Sequence, residues 1–393
     1  MNKVALIYYH PLSSIDGATK VIKSFVDNDE RLKKNGIELD VFAPTQNSGV
    51  VCDHKSVLGT IKEFVKKAIF KLDFAGVLRM MYNLYVRSDH AVKNYMERIN
   101  GKEYNSVFVH DLLTCYCYLK HGDNKPVMLV MHTTGDFFSM TLTYFPLLKY
   151  TLFYNVVLKN VLNTVLNKVD GIVFNSKIAA DNFYKIYPNA RSGIASFVNN
   201  GVVDLTEDEL SNECHSNPPF HVVCVGSISE RKGQRFIVEA LRTCSEKARN
   251  NVRFHFVGDG EIRTELEDIC TRYNLNEYVE FCGLQTNIVP FLKRSDIFIL
   301  PSTDEGMPIS ILEAMRQGLP VVSTKVGGIP YQVIDNVTGL LIEPSTAGVR
   351  HFIEHIEEFD WKKMGKESRN RYVEEFGITQ MMDKYSSLLN KIC

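Results

Sequence analysis

Short, nearly continuous apolar runs recur along the chain, and the stretches between them carry apolar residues at helical spacing. In the first half the runs are Lys3 to Tyr9, Ile37 to Phe42, Ser106 to His110, Val127 to Met131 and Gly171 to Phe174. In the second they are Phe220 to Val225, Val252 to Val257, Val279 to Phe281, Ile297 to Leu300, Pro320 to Ser323 and Leu340 to Ile342. Runs without polar alternation predict parallel strands covered on both faces, and their alternation with helical segments predicts doubly wound sheets. After the first strand, a turn containing Ser13, Asp16 and Gly17 leads into a helix running to about Lys34. Leu205 to Pro219 is polar, acidic and proline-terminated, and the strand pattern restarts after it. The expected architecture is α/β, with two doubly wound parallel-sheet domains at residues 1–203 and 220–377, joined by a linker at 204–219.

One strand-to-helix turn in the second half points to chemistry. Asp296 to Pro301 and Leu319 to Thr324 both read as buried strands. Between them, Asp304 to Gly318 reads as a turn and a helix that Gly318 ends. Pro308 suits the first helical turn, where a missing N–H costs nothing. A helix starting here aims backbone amides, those of Met307 and Ile309 among them, and its positive dipole end above the strand ends. That is an anion site, most naturally for phosphate. Glu305 stands just before the helix and Glu313 inside it. Neither carboxylate pairs well with phosphate, but both suit sugar hydroxyls, and a diphosphate flanked by two sugars is a nucleotide sugar. The plain alternative is an ordinary βα unit, since two glutamates at this spacing are common by chance.

Glu305, seven residues, then Glu313-Ala-Met, Gly318 and Pro320-Val-Val322 resemble the retaining glycosyltransferases of the family-four type. Those enzymes have the GT-B fold, two doubly wound parallel-sheet domains facing across a cleft. The resemblance runs over most of the chain and is dense in residues 220–345. It implies an acceptor-binding N-terminal domain, a nucleotide-sugar-binding C-terminal domain, and a last helix, about 378–393, crossing back onto the first domain. By the same resemblance Glu305 holds the sugar ring hydroxyls and Glu313 the ribose, with Gly306, Met307, Pro308 and Ile309 lining the turn. Lys232 and Gly233 fall where the family holds the diphosphate, after a strand ending at Gly226. Ser227 replaces the usual arginine, and Arg231 is its nearest substitute. Gly258-Asp-Gly260 lies near the nucleotide, and Gly283 and Leu284 belong to a loop whose backbone faces the base. Gly17 matches one of two glycines beneath the donor phosphates; Asp16 replaces the other. His132 matches a histidine near the transferred sugar. Phe174-Asn-Ser176 and Val198-Asn-Asn-Gly-Val202 match landmarks before the linker, whereas Tyr331 stands where the family often has a glutamate.

Composition narrows the partners. Among 393 residues, 45% are hydrophobic and 23% charged, as in a soluble globular protein, and the net charge is −1. That charge gives no global attraction to nucleic acid or an anionic membrane. The start is too short in its apolar part for a signal peptide, and polar residues break the apolar segment Tyr144 to Leu166. The expected location is the cytoplasm. Residues 61–87, however, carry six basic against two acidic residues, with Ile61, Phe64, Val65, Ala68, Ile69 and Leu72 at helical spacing. Such a segment suits an anionic membrane face or a lipid-diphosphate acceptor, or else packs on the sheet as a surface helix.

Nine cysteines form no Cys-x-x-Cys pair, and Asp27-Asn-Asp29 lies at a helix end, so no metal ligand set is expected. The expected function is a retaining, metal-independent hexosyltransferase with a nucleoside-diphosphate sugar, uridine diphosphate favoured, as donor and no further cofactor. The acceptor class is a glycan, a lipid-linked sugar or a polypeptide. The alternatives are a catalytically silent nucleotide-sugar-binding partner subunit and a nucleotide-sugar epimerase of similar fold.

Overall fold

The computed structural model describes residues 1–13, 17–44, 74–99, 101–210 and 217–393. The chain divides into two compact units, Met1–Val198 with Met381–Cys393, and Asn199–Gln380. Each is built on a six-stranded sheet with parallel pairing throughout.

In the first unit the strands are β1 (Asn2–Ile7), β2 (Ile37–Phe42), β3 (Ser106–Val109), β4 (Val127–Met131), β5 (Gly171–Phe174) and β6 (Ala195–Phe197), in the order β2-β1-β3-β4-β5-β6. Strands β3 and β4 are buried along their whole length, as their unbroken apolar character predicts. Strand β6 gives no such signal, because its three residues are half-buried at the sheet edge. The expected first helix is two, Gly17–Asp27 and Asp29–Lys34. Asn28 divides them, its side chain donating to the Ser24 carbonyl at 2.8 Å, the local competition that disfavours asparagine inside helices. The last helix runs Ile378–Ile392, and its Tyr385 is fully buried edge-on against Phe25 and Phe108, at 5.0 and 5.5 Å between ring centroids. Arg31 grips Asp383 through two bonds of 2.8 and 2.6 Å.

The apolar segment 144–166 becomes a tight turn at Pro146–Tyr150, a wide π-type turn at Phe153–Leu158 and the start of a helix at Lys159–Lys168. Among the described residues no helix is long and apolar enough to cross a membrane. Residues 61–73 of the basic segment, Asp16, and 211–216 of the expected linker lie outside the described residues.

The second unit carries β7 (Phe220–Val225), β8 (Val252–Val257), β9 (Val279–Gly283), β10 (Ile297–Leu300), β11 (Val321–Thr324) and β12 (Gly339–Ile342). Their order is β12-β11-β10-β7-β8-β9. The chain winds outward from β7 in one direction, then returns to lay β10 on β7's other side. The carboxyl ends of β7 and β10 therefore flank a topological switch point, where open α/β sheets bind ligands. Neighbouring loops close tightly there: a Cβ on Gly258 would lie 1.9 Å from the Gly226 carbonyl oxygen, so only glycine fits.

Candidate active site

The loop after β7 and the loop after β10 meet at the switch point through charged side chains. A short turn at Glu230–Lys232 follows the strand, and Gly233, at φ +77°, redirects the chain into the helix Gln234–Thr243. Its Cα abuts the Pro301 carbonyl, where a Cβ would sit 2.1 Å from the oxygen. This approach holds Arg231 and Lys232 against the loop after β10. Lys232 Nζ reaches Glu305 Oε1 at 2.6 Å, Arg231 Nη1 reaches the same oxygen at 3.2 Å, and Ser302 Oγ donates to it at 2.9 Å. Arg231 also donates to the Asp304 carbonyl at 2.7 Å, and Thr303 N–H donates to the Arg231 carbonyl at 2.9 Å.

This cluster is largely shut off from water. Glu305 is 7% exposed, and the Lys232 and Arg231 side chains 12% and 15%. Burial alone would push the Glu305 carboxyl up; Lys232 and Arg231, then the hydrogen bonds from Lys232 and Ser302, outweigh it and hold the group below the usual glutamate range. Two cations face the Glu305 carboxylate, with that of Asp304 beside them, in surroundings where Coulomb interactions are weakly screened. The aliphatic stem of Lys232 runs over Gly226, its Cε 3.6 Å from where a Cβ would be.

The helix expected after Glu305 runs Ile309–Arg316. Pro308 lies one position earlier than expected, at the N-cap with ψ 125°, so it sets the entry of the chain rather than the first turn. Gly318, at φ +82°, ends the helix as predicted, with its N–H on the Met315 carbonyl and that of Leu319 on Ala314. The turn is pinned from outside: Asn200 donates to the Met307 carbonyl at 3.0 Å, Gly328 N–H to Gly306 at 2.7 Å, and Gln332 to Pro308 at 3.0 Å. Glu313 is buried on this helix. Tyr331 is taken up structurally, its hydroxyl between Asn199 and Glu375 and its carbonyl bonded by Arg371.

Gly258, Gly283 and Leu284 complete the second unit's expected residues. Gly258 N–H donates to the Gly283 carbonyl at 2.8 Å, joining the ends of β8 and β9, and Leu284 is 60% exposed. The second unit thus brings together Gly226, Arg231, Lys232, Glu305 and the helix start. Sequence reasoning missed Ser302 and Gln234, and took Asn200 only as part of a landmark before the linker. Gln234 braces the loop, donating to the Ser227 carbonyl and accepting from Ser229 N–H. A glutamine directly after Lys232-Gly233 was the available signal; its burial shows only in the structure.

Gly17 and His132 belong to the first unit. Gly17 opens the helix Gly17–Asp27, and His132 follows β4 directly. His132 Nε2 lies 3.1 Å from His110 Nδ1, the rings stacked 5.4 Å apart. His110, which follows β3, was not expected in this role. Burial, then His132, pushes its imidazole well below the usual range, so His110 is held uncharged at that position. Beside it, Asp111 caps the helix Leu112–His121 through Thr114 N–H at 2.8 Å, and burial lifts its carboxyl to about 6. Asp29 of the Asp-x-Asp pattern pairs with Lys33 at 2.5 Å.

Comparison with known proteins identifies relatives. Residues 219–359 match the family described as Glycosyl transferases group 1. A UDP-Gal:alpha-D-GlcNAc-diphosphoundecaprenol alpha-1,3-galactosyltransferase of Escherichia coli is 33% identical over 203 residues, 49% of this chain and 50% of that protein. The lipopolysaccharide core biosynthesis glycosyltransferase LpsE of Rhizobium meliloti is 29% identical over 199 residues, 50% and 56% of the two chains. The chain thus spans about half the length of these relatives. Among solved structures, Anabaena HepE in complex with UDP-glucose superposes with a TM-score of 0.69 at 17% identity, covering 100% of both chains. Sucrose-phosphate synthase from Thermosynechococcus elongatus gives 0.71 at 18%, covering 100% of this chain and 99% of that one.

Proposed function

We propose, from the premise that this is a family-four-type chain of the GT-B fold whose C-terminal domain belongs to the glycosyl transferases group 1, that the protein is a retaining, metal-independent hexosyltransferase. The observation that carries this reading is the buried cluster of Arg231, Lys232 and Glu305 at the switch point, beside the start of the helix Ile309–Arg316. Its two cations and the helix dipole supply what a departing diphosphate needs, the task a metal ion performs in other transferases. Glu305 orients the sugar hydroxyls and Glu313 the ribose, while Gly283 and Leu284 meet the base. His132, with His110 behind it, serves the transferred sugar.

In the reaction, the bond from sugar C1 to the phosphate oxygen breaks and the acceptor oxygen bonds to C1 on the same face. The acceptor's proton passes to the leaving phosphate oxygen. The UDP-glucose complex of HepE and the lipid diphosphate named for the Escherichia coli relative support a uridine diphosphate sugar as donor and a lipid-linked acceptor in surface polysaccharide synthesis. The first unit also exposes apolar side chains that fit an acceptor carried in a membrane. Tyr82, Tyr85, Val86, Tyr150, Leu152 and Val156 are all exposed there. Arg87 lies over the Tyr82 ring and Lys149 over Tyr150, at 5.5 and 5.0 Å, a pairing of aromatic and cation suited to an anionic lipid interface. Sedimentation with anionic but not neutral vesicles is expected; equal binding to both or neither would remove the membrane from this reading.

The main test incubates the protein with uridine, guanosine and adenosine diphosphate sugars, with and without chelator. Diphosphate release from one donor, unaffected by chelator and with retained anomeric configuration, is expected. Chelator-sensitive or inverting transfer would overturn the mechanism. Conversion of the donor to its epimer without acceptor would mark an epimerase, and tight donor binding without any release of free sugar a silent partner subunit.

A further inference from the structure

The edge of the second sheet carries a cluster that the transfer chemistry does not use. His255 on β8 pairs directly with Glu280 on β9, and His221 on β7 lies diagonally from His255, two positions off its register partner. His221 Nδ1 lies 2.9 Å from His255 Nε2, with the rings stacked 5.2 Å apart at 11°. His255 Nδ1 meets Glu280 Oε2 at 2.7 Å. Pairing between β8 and β9 slips after Phe256 and Phe281, so that Val257 pairs with Gly283 and Cys282 is the extra residue of a bulge. Bulges re-aim side chains, and this one delivers a thiol to the cluster. Among the described residues, His255, Glu280 and Cys282 bring one ligand atom each to within 4.8 Å of one another.

We propose that His255 Nδ1, Glu280 and Cys282 Sγ bind a borderline-soft divalent cation, with Zn²⁺ the fitting ion and His221 orienting His255. Imidazole, carboxylate and thiolate together suit zinc, whereas magnesium and calcium take oxygen ligands. In a tetrahedral zinc site, bonds of about 2.0–2.3 Å place ligand atoms roughly 3.3–3.7 Å apart. The His255–Glu280 contact must therefore open by about half an ångström. The half-exposed Glu280 side chain, on an edge strand, has room to do this. The other ring nitrogen of His255 is already engaged by His221, the arrangement that fixes a ligating imidazole's tautomer and plane. On binding, the Cys282 S–H and His255 Nδ1–H bonds break, sulfur and Nδ1 bond to the metal and both protons leave to solvent; His221 passes its Nδ1 proton to His255 Nε2 and takes one from solvent at its own Nε2, so one proton is released in net. The two negative ligands then balance the metal's charge.

Arg294 supplies the competing state. Its Nη2 donates to Glu280 Oε2 at 3.1 Å and lies 4.0 Å from Cys282 Sγ, and its side chain is 49% exposed. The guanidinium sits where a cation is wanted, 4.7 Å over the Phe291 ring, and would have to swing into solvent when a metal takes its place. The site lies two strands out from the switch point, so the metal would tie β9 to β8 rather than join in glycosyl transfer.

The experiment titrates the purified full chain with Co²⁺, whose bond to a thiolate gives a near-ultraviolet charge-transfer absorption, and then adds Zn²⁺. Expected are one equivalent of cobalt bound with that absorption and its displacement by zinc. Cys282→Ser should lose the absorption, His221→Ala should bind roughly 10–100-fold more weakly, and Arg294→Ala should bind more tightly. Absence of the absorption in the native protein, its survival in Cys282→Ser, or weaker binding by Arg294→Ala would each overturn the proposal. None of these readouts depends on transferase activity, so the site and the proposed function fail independently.

Discussion

The carboxyl ends of the two sheets share a backbone plan and differ in charge. In the first unit, β3 and β4 end in two imidazoles, His110 and His132, stacked and held apart from bulk water at the inner ring. In the second, the loops after β7 and β10 end in Arg231, Lys232 and Glu305, which share one carboxylate oxygen. Parallel winding produces both locations, because it leaves strand ends and their loops open on one side of the sheet. Side-chain choice then decides the ligand. A buried neutral imidazole stacked on a second one suits hydroxyl groups, whereas a buried cluster that carries two cations suits a diphosphate.

If that contrast is right, removing charge from the second site should be far more costly than any polar change in the first. The largest effect is expected from Lys232→Ala. Loss of one preorganised charge-stabilising group costs about 10²–10³ in turnover. Arg231→Ala should cost less, since Arg231 spends one of its bonds on the Asp304 carbonyl and acts partly as a loop brace. Turnover of both variants at saturating donor is the measurement; a silent Lys232→Ala would erase the contrast.

Glu313→Ala comes next. It should weaken binding of the free nucleoside diphosphate by about 1.5–3 kcal/mol, the worth of a hydrogen bond to a charged group. Calorimetry showing unchanged affinity would remove Glu313 from the ribose.

The smallest effect is one of pH. The folded-state pKa of Glu305 lies below its unfolded value, so the ionised cluster contributes stability above the ordinary glutamate range. That contribution is lost as pH falls through the lowered folded pKa. Glu305→Gln lacks it, so the gap in thermal midpoint between native protein and variant should be widest near neutrality and narrow below about pH 4.3. A gap that stays constant would mean the carboxylate's charge is not what holds the cluster.

Much of this was legible in the sequence for a physical reason. Buried parallel strands such as β3, β4, β7, β8 and β10 must be apolar on both faces, and their runs announce them. Strand β6 was hidden because an edge position relaxes that demand. The turn around Glu305 and the stop at Gly318 were readable because backbone geometry there constrains residue type. What the sequence did not reveal was partnership: that Lys232 and Arg231 meet Glu305 rather than stand ready for phosphate alone, and that His110 stands behind His132. Those contacts join strand ends far apart in the chain, and a one-dimensional pattern has no term for them. Pro308 shows the limit at fine grain, being legible as helix-initiating yet placed one residue off, where element boundaries are least determined.

The packing of Tyr385 between Phe25 and Phe108 has a bearing on biosynthesis. The unit that begins at Met1 is closed by residues 381–393, and its core aromatic cluster is incomplete without them. On a ribosome Asn199–Gly377 is made before any of that helix exists. The first unit to emerge is therefore the last that can finish folding, and until then it presents the apolar groove left by Phe25 and Phe108 to chaperones and to other nascent chains.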